Sequence, residues 1–211
     1  MSESDINQVL SPTPRNAGVD AAVVAARRVV SALVHAGNNS AAEMNDVADK
    51  LNAVADYLEK HVPTVDERMI DMWAGEGNTR HNPVTGPENA IAPPVYLEAT
   101  ADGGVTGRCT LGLIYQGPPG YAHGGVTALI LDHVLGVANY VAGQSGMTAQ
   151  LTLRYRRPTP LFEPLTISSR QVSVDGRKIR AGGAISVDGQ ECVSAEGLFI
   201  NKHMPRPVAA P

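Results

Sequence analysis

Residues 124–141 read GGVTALILDHVLGVANYV. At about 100° of rotation per residue, Ile130 and Val134 lie on one side of a helix formed by this stretch, and Leu129 and Leu135 lie on the other. A helix that is apolar all round is buried, so the stretch predicts a central helix inside the fold. Asp132 interrupts the apolar run. A carboxylate there needs partners or a chemical role, because burying an unpaired charge costs several kcal/mol.

Strand-like segments flank this helix on both sides. Before it, residues 95–101 and 105–116 enclose Asp102-Gly103-Gly104, a turn typical of a β-hairpin. After it, four segments alternate apolar and polar residues and are predicted as strands: 146–157, 163–174, 177–187 and 190–201. Two-residue turns of the Asp-Gly type join the last three, so we expect an antiparallel meander. A sheet curled around one buried helix is an α+β fold.

The first ninety residues follow a different pattern. Residues 1–18 carry few apolar side chains and are predicted as a disordered tail. Apolar residues at helical spacing predict a hairpin of two helices at 19–62, which either packs on the main domain or binds a partner. The remaining expected divisions are an irregular connector, the folded domain and a second tail: 63–87, 88–203 and 204–211.

Composition limits the classes of partner. The chain has 211 residues and a formal net charge of −4, so bulk charge gives it no attraction to nucleic acid or to an anionic membrane. Its two cysteines, Cys109 and Cys192, cannot form a disulfide framework, and the start of the chain lacks a signal-peptide pattern. We therefore expect a cytoplasmic protein. The apolar run at 126–141 is shorter than a bilayer span.

The turn that enters the central helix reads GPPGYAHGG at residues 117–125. Its glycines leave backbone amides open at the positive end of the helix dipole, where a developing oxyanion can bind. No Lys-Ser/Thr pair follows the glycines, so this is not a phosphate loop, and no metal-ligand spacing accompanies Asp132. At this point His123 is either a helix cap or a site residue, and Asp132 is either a catalytic carboxylate or a partner of a neighbouring strand or subunit.

The spacing of His123-Gly124-Gly125, Asp132 and Thr148 resembles that of the hotdog-fold acyl-CoA thioesterases of the phenylacetate-pathway type. Among them, the animal mitochondrial acyl-CoA thioesterases are the most similar, and the resemblance extends over residues 88–202. It implies a hotdog fold and hydrolysis of a fatty or aromatic acyl-CoA to the free acid and CoA. It further implies no cofactor besides the CoA of the substrate, and a homodimer or tetramer with the acyl pocket between subunits.

The same resemblance assigns the catalytic residues. Asp132 takes the position of the carboxylate that activates water or attacks the thioester itself, and Thr148 takes that of the hydroxyl that orients the water. The backbone amide of Gly124 would polarise the thioester carbonyl, and His123 would help to place it. In some relatives an Asn or Gln contributes from the opposite subunit, and Gln116 is the nearest candidate here.

Basic residues are concentrated between Arg154 and Arg180, which predicts a site for the phosphates of CoA. The expected CoA-binding residues are Arg156, Arg157, Pro158, Gly176, Arg177 and Lys178. Strand alternation puts Arg156 and Arg157 on opposite faces unless Pro158 bends the chain. Two alternatives stay open: a hotdog module that binds acyl-CoA without turnover, and a hotdog enoyl-CoA hydratase.

Overall fold

The computed structural model describes residues 8–39, 42–68, 80–93 and 95–201. In that part of the chain, the α-helices longer than four residues are α1 (Gly18–Ala36), α2 (Met44–Glu59) and α3 (Gly124–Val141). The strands are β1 (Tyr96–Ala99), β2 (Val105–Thr110), β3 (Met147–Tyr155), β4 (Pro164–Asp175), β5 (Lys178–Val187) and β6 (Gln190–Ile200).

The strands form one antiparallel sheet in the order β1-β2-β4-β5-β6-β3. α3 contacts β2, β3, β4, β5 and β6, so the predicted α+β hotdog arrangement of a sheet around a central helix is confirmed. The expected meander of four consecutive strands is wrong for β3. This strand pairs with β6, with Met147 opposite Ile200, because residues 156–163 carry the chain across the sheet to place β4 beside β2.

α3 is buried on one side only. Its core-facing residues are Thr127, Ile130, Leu131, Val134, Leu135, Ala138 and Asn139. The hydroxyl of Ser169 on β4 donates a hydrogen bond to the Val134 carbonyl oxygen at 3.0 Å and fixes the helix to the sheet. Leu129 and Tyr140 are 40% and 58% exposed, so the prediction of a helix buried all round is wrong. α3 has the length and hydropathy of a membrane span, but its apolar side chains build this core.

The N-terminal segment lies along β1. The Leu10 amide donates to the Leu97 carbonyl oxygen at 2.9 Å, and the Ala99 amide donates to the Gln8 carbonyl oxygen at 3.0 Å. Leu10 and Ser11 are buried. The predicted disordered tail is therefore wrong for residues 8–11, because β1 is an edge strand whose free backbone groups pair with this segment. Residues 1–7 of the expected tail lie outside the described residues.

α1 is attached to the connector by charged side chains. The Arg80 guanidinium pairs with the carboxylates of Asp20, which is buried, and Glu88. Arg27 donates to the carbonyl oxygens of Gly86 and Asn89 at 3.1 and 2.7 Å. Residues 80–93 are thus packed against α1, so the first helix of the expected hairpin does rest on the main domain.

α2 has no buried residue. Its Val54, Tyr57 and Leu58 are more than half exposed, and no described residue covers this apolar side. The expected last tail at 204–211 lies outside the described residues.

Candidate active site

Asp132 and Thr148 meet where α3 passes the start of β3. The Thr148 hydroxyl donates a hydrogen bond to Asp132 Oδ1 at 2.9 Å. The register of β3 against β6 shifts between Thr148 and Gln150, and a bulge of this kind re-aims neighbouring side chains. The structure therefore brings together two of the four predicted catalytic residues, with Asp132 Oδ2 left without a partner among the described residues.

A cleft of about 520 Å³ opens in front of this pair. α3 contributes Gly136 and Tyr140 to one wall, and the start of β3 contributes Met147. Asp132 lines the same cleft and is partly exposed, so its carboxylate is accessible instead of sealed among apolar neighbours. Asp132 lies at the boundary of the buried side of α3 and is therefore less buried than the apolar run around it suggests.

His123 caps the N-terminus of α3. Its Nδ1 accepts a hydrogen bond from the Gly125 amide at 3.0 Å. The turn is tight, since a Cβ on Gly117 would lie 2.7 Å from the His123 Cα. The Tyr155 hydroxyl at the end of β3 donates to the Gly124 carbonyl oxygen at 3.0 Å. The Gly124 amide itself has no acceptor among the described residues, as expected for the first residue of a helix.

Gln116 lies in the same turn. Its side-chain oxygen accepts a hydrogen bond from the Gly120 amide at 3.2 Å, so it stabilises the turn that leads to His123. Gln116 is exposed.

The two pairs of predicted catalytic residues do not meet within one chain. Gly124 and Asp132 are eight positions apart in α3, and a helix rises roughly 1.5 Å per residue, so about 12 Å separates them along the axis. An amide and a carboxylate at that separation cannot act on the same carbonyl group. The chain therefore carries two half-sites, Asp132 with Thr148 and His123 with Gly124.

The expected CoA-binding residues also fall into two groups. The amides of Arg156 and Arg157 both donate to the Cys192 carbonyl oxygen, whereas Lys178 lies opposite Ile200. Cys192 and Ile200 are eight positions apart on β6, which corresponds to about 26 Å at roughly 3.3 Å per residue. The single anion site expected between Arg154 and Arg180 is not formed within one chain, because β4 lies between the two groups in the chain and runs along the sheet from one end to the other.

The individual basic side chains differ in their ion pairs, hydrogen bonds and exposure to solvent. Arg156 pairs with Glu191 at 2.6 Å, which neutralises much of its charge. Arg177 donates to the Asn201 carbonyl oxygen at 3.2 Å and lies beside Gly176 in the β4–β5 turn. The side chains of Arg157, Pro158 and Lys178 are exposed.

Sequence reasoning missed His133 and Asn82, which line the same cleft as Asp132. The side-chain nitrogen of Asn82 lies 3.4 Å from His133 Nδ1. Burial lowers the pKa of His133 to about 4, so its ring is neutral at physiological pH. Neither residue belongs to a recognisable motif. The position of His133, next to Asp132 in an apolar helix, was the one available signal.

Different known families match the N-terminal helical part of the chain and the part that contains the sheet. A model described as the thioesterase superfamily matches residues 119–193. A second model, the N-terminal helical domain of hypothetical protein RHA1_ro05818, matches residues 10–67. In crystal structures, the thioesterase superfamily protein RHA08564 is 59% identical with a TM-score of 0.86, and the alignment covers 94% of this chain and 98% of that one.

Curated relatives match a smaller part. Acyl-coenzyme A thioesterase THEM4 of Mus musculus is 34% identical over 99 residues, which is 46% of this chain and 43% of that protein. The Bos taurus protein of the same name is 39% identical over 87 residues, 40% of this chain and 35% of that protein. The chain thus spans less than half the length of the curated relatives that it matches.

Proposed function

The chain belongs to the thioesterase superfamily, and we propose that it hydrolyses the thioester of a fatty or aromatic acyl-CoA to the free acid and CoA. The observation that carries the proposal is the Asp132 carboxylate, which is held by the Thr148 hydroxyl and faces an open cleft. The matching relatives are named acyl-coenzyme A thioesterases, which supports CoA as the thiol component.

Thioester hydrolysis needs a base or nucleophile and a donor for the developing oxyanion. Thr148 binds Oδ1 of Asp132, which leaves Oδ2 to take a proton from a water molecule in the cleft. The water oxygen then attacks the carbonyl carbon. The tetrahedral intermediate collapses with cleavage of the C–S bond, and the proton passes to the leaving thiolate of CoA. Direct attack by Asp132, through an anhydride that water then opens, uses the same free oxygen.

We propose that the complete site forms between two copies of the chain. β3 is an edge strand that pairs with β6 alone within the described residues, and most of its side chains are exposed. Closed two-fold dimers use the same surface on both copies. If two β3 strands pair antiparallel about their middle, the Thr148 end of one copy lies beside the Tyr155 end of the other.

That pairing completes the chemistry. The Tyr155 hydroxyl is hydrogen-bonded to the Gly124 carbonyl oxygen, so the half-site with His123 and Gly124 lies near the Tyr155 end of β3. In the paired strands it approaches the half-site with Asp132 and Thr148 of the second copy. Gln116 supports the same turn from the opposite copy. The two basic groups are also at opposite ends of β3, so the same pairing brings Arg157 of one copy toward Arg177 and Lys178 of the other, where the phosphates of CoA would bind.

The proposal is tested by thiol release from a panel of acyl-CoAs of increasing chain length and of aromatic acyl-CoAs. Asp132→Asn removes the base and is expected to lower kcat by about 10²–10⁴. Asp49→Asn makes the same change at an exposed position on α2 and serves as the matched control. Undiminished kcat in Asp132→Asn would end the assignment.

Two further readouts separate the alternatives. Calorimetric binding of acyl-CoA without thiol release over hours would identify a binding module. Loss of enoyl-CoA absorbance without thiol release would identify a hydratase. For the enzyme proposed here, transfer of ¹⁸O to Asp132 in a single turnover in H₂¹⁸O identifies attack by the carboxylate, with water opening the anhydride at the Asp132 carbonyl carbon, because general-base catalysis leaves all of the label in the released acid.

A further inference from the structure

The far wall of the cleft is built from parts of the chain that the thioesterase superfamily model does not match. Leu10 of the N-terminal segment and Asn82 of the connector lie there, opposite α3. His133 follows Asp132 in α3 and lines the same cleft, so its imidazole and the Asp132 carboxylate border the same space. Apolar side chains, among them Val137 and Met147, line the cleft together with the polar side chains of Gln8, Ser145 and Thr148.

The orientation of the Asn82 side chain is fixed by its backbone neighbours. Its Oδ1 accepts hydrogen bonds from the amides of Val84 at 2.8 Å and Thr85 at 3.1 Å. The oxygen is therefore identified by its two donors, and the NH₂ group must be the one that faces His133 Nδ1. An amide NH₂ group only donates, so Nδ1 must accept and carry no proton.

This arrangement selects one tautomer of His133. Since burial keeps the ring neutral, a ring without a proton on Nδ1 carries it on Nε2. No described residue accepts a hydrogen bond from that Nε2–H. The cleft beside the catalytic carboxylate therefore contains a single oriented imidazole donor that an apolar acyl chain would leave unpaired. Leaving a shielded donor unpaired weakens binding by about tenfold or more.

We propose that the Nε2–H of His133 selects an acyl group with a hydrogen-bond-accepting oxygen, such as a keto oxygen, over an unsubstituted chain of equal length. Asn82 is the positioning residue that holds His133 in the donating tautomer. This inference rests on the proposed thioesterase function, because it assigns the acyl class to the same cleft.

The first test compares substrates on the wild-type protein. The kcat/KM of thiol release is measured for hexanoyl-CoA and for its 3-oxo, 4-oxo and 5-oxo derivatives, which move one acceptor along the chain. At least one oxo derivative is expected to exceed hexanoyl-CoA by about tenfold. Equal kcat/KM across the series overturns the assignment of His133 but leaves the thioesterase function standing. Absence of thiol release from every acyl-CoA overturns the function itself.

The second test removes the donor. His133→Phe keeps an aromatic ring of similar size. It is expected to reduce the ratio of kcat/KM for the best oxo derivative to kcat/KM for hexanoyl-CoA to about one. His35→Phe makes the same change on the exposed side of α1 and should keep the wild-type preference. An oxo preference that persists in a folded His133→Phe protein refutes the role of this side chain.

The third test reads the tautomer directly and needs no turnover. In ¹⁵N-histidine NMR spectra, His133 of the wild-type protein is expected to show an unprotonated Nδ1 and a protonated Nε2. Asn82→Asp keeps an oxygen acceptor for the Val84 and Thr85 amides but faces Nδ1 with an acceptor, so Nδ1 should become protonated. An Nδ1 that stays unprotonated in Asn82→Asp contradicts the positioning role of Asn82.

Discussion

Mixed dimers give a sharp test of a site shared between two copies. One copy carries Asp132→Asn, and the other carries Gly124→Pro, which removes the amide proton of the first helical residue. Proline is well tolerated at that position of a helix. A Cβ there lies 3.3 Å from the Tyr155 ring, so the ring has to move by a few tenths of an ångström. Thermal melting of each variant checks that the fold is kept.

The expected activities follow from the number of substitutions, here called lesions, that each active site of the dimer contains. Each homodimer has the same lesion in both sites, so kcat falls by about 10²–10⁴ for Asp132→Asn and about 10²–10³ for Gly124→Pro. If about 12 Å along α3 separates the half-sites of one chain, the heterodimer has one site with both lesions and one with neither. Such heterodimers should have about half the wild-type kcat.

The assay uses two affinity tags, co-expression and sequential purification of mixed dimers, followed by thiol release from an acyl-CoA. The matched control puts both substitutions on one copy and none on the other. Each site of that control then has one lesion, and activity should fall about a hundredfold or more. If the control is half active and the first heterodimer is inactive, each site belongs to a single chain, and the shared site is refuted.

Three further predictions concern single side chains. Thr148→Val removes the hydrogen bond to the Asp132 carboxylate and should lower kcat about 10- to 100-fold in the thiol-release assay, whereas Thr148→Ser should stay near wild type. The hydrogen bond from Arg80 lowers the pKa of Asp20, so the stability that Asp20 contributes is present above its ordinary pKa and is lost as the pH falls through the lowered value. Asp20→Asn should therefore reduce the decrease in Tm between neutral and acid pH. A decrease in Tm equal to that of the wild-type protein would contradict this. Burial raises the pKa of Cys109 to about 12, so native protein at pH 8 should show no iodoacetamide adduct on Cys109 by mass spectrometry, and rapid alkylation there would contradict the buried position.

The central helix was predictable to its first and last residue because its signals are local. Gly124 and Gly125 open it, and the apolar run ends at Val141. Most strand segments were predictable for the same reason, since alternation and Asp-Gly turns act over a few residues. The segment predicted at 105–116 is too long, because the strand ends at Thr110 and Leu113–Tyr115 form a turn of 3-10 helix. The place of β3 in the sheet was not predictable in this way, because pairing with β6 depends on how residues 156–163 cross the sheet.

The candidate site shows the same limit. The motif spacing picked out Asp132 and Thr148, and the structure places them in hydrogen-bond contact. The separation between Gly124 and Asp132, by contrast, was already contained in the sequence, because eight positions along the predicted helix amount to about 12 Å. Asn82 reaches His133 from 51 positions away, and no local pattern encodes a contact at that separation.

The cleft is built from two parts of the chain, with Asp132 and Thr148 from α3 and β3 on one side and residues near Leu10 and Asn82 on the other. These wall residues belong to short segments that contribute nothing to the carboxylate or to the amide donor. Under the proposed function, sequence changes in these segments would alter which acyl groups are accepted while Asp132, Thr148 and Gly124 stay the same. Transferring the same two segments to a related protein would be the corresponding way to change its acyl-group preference by design.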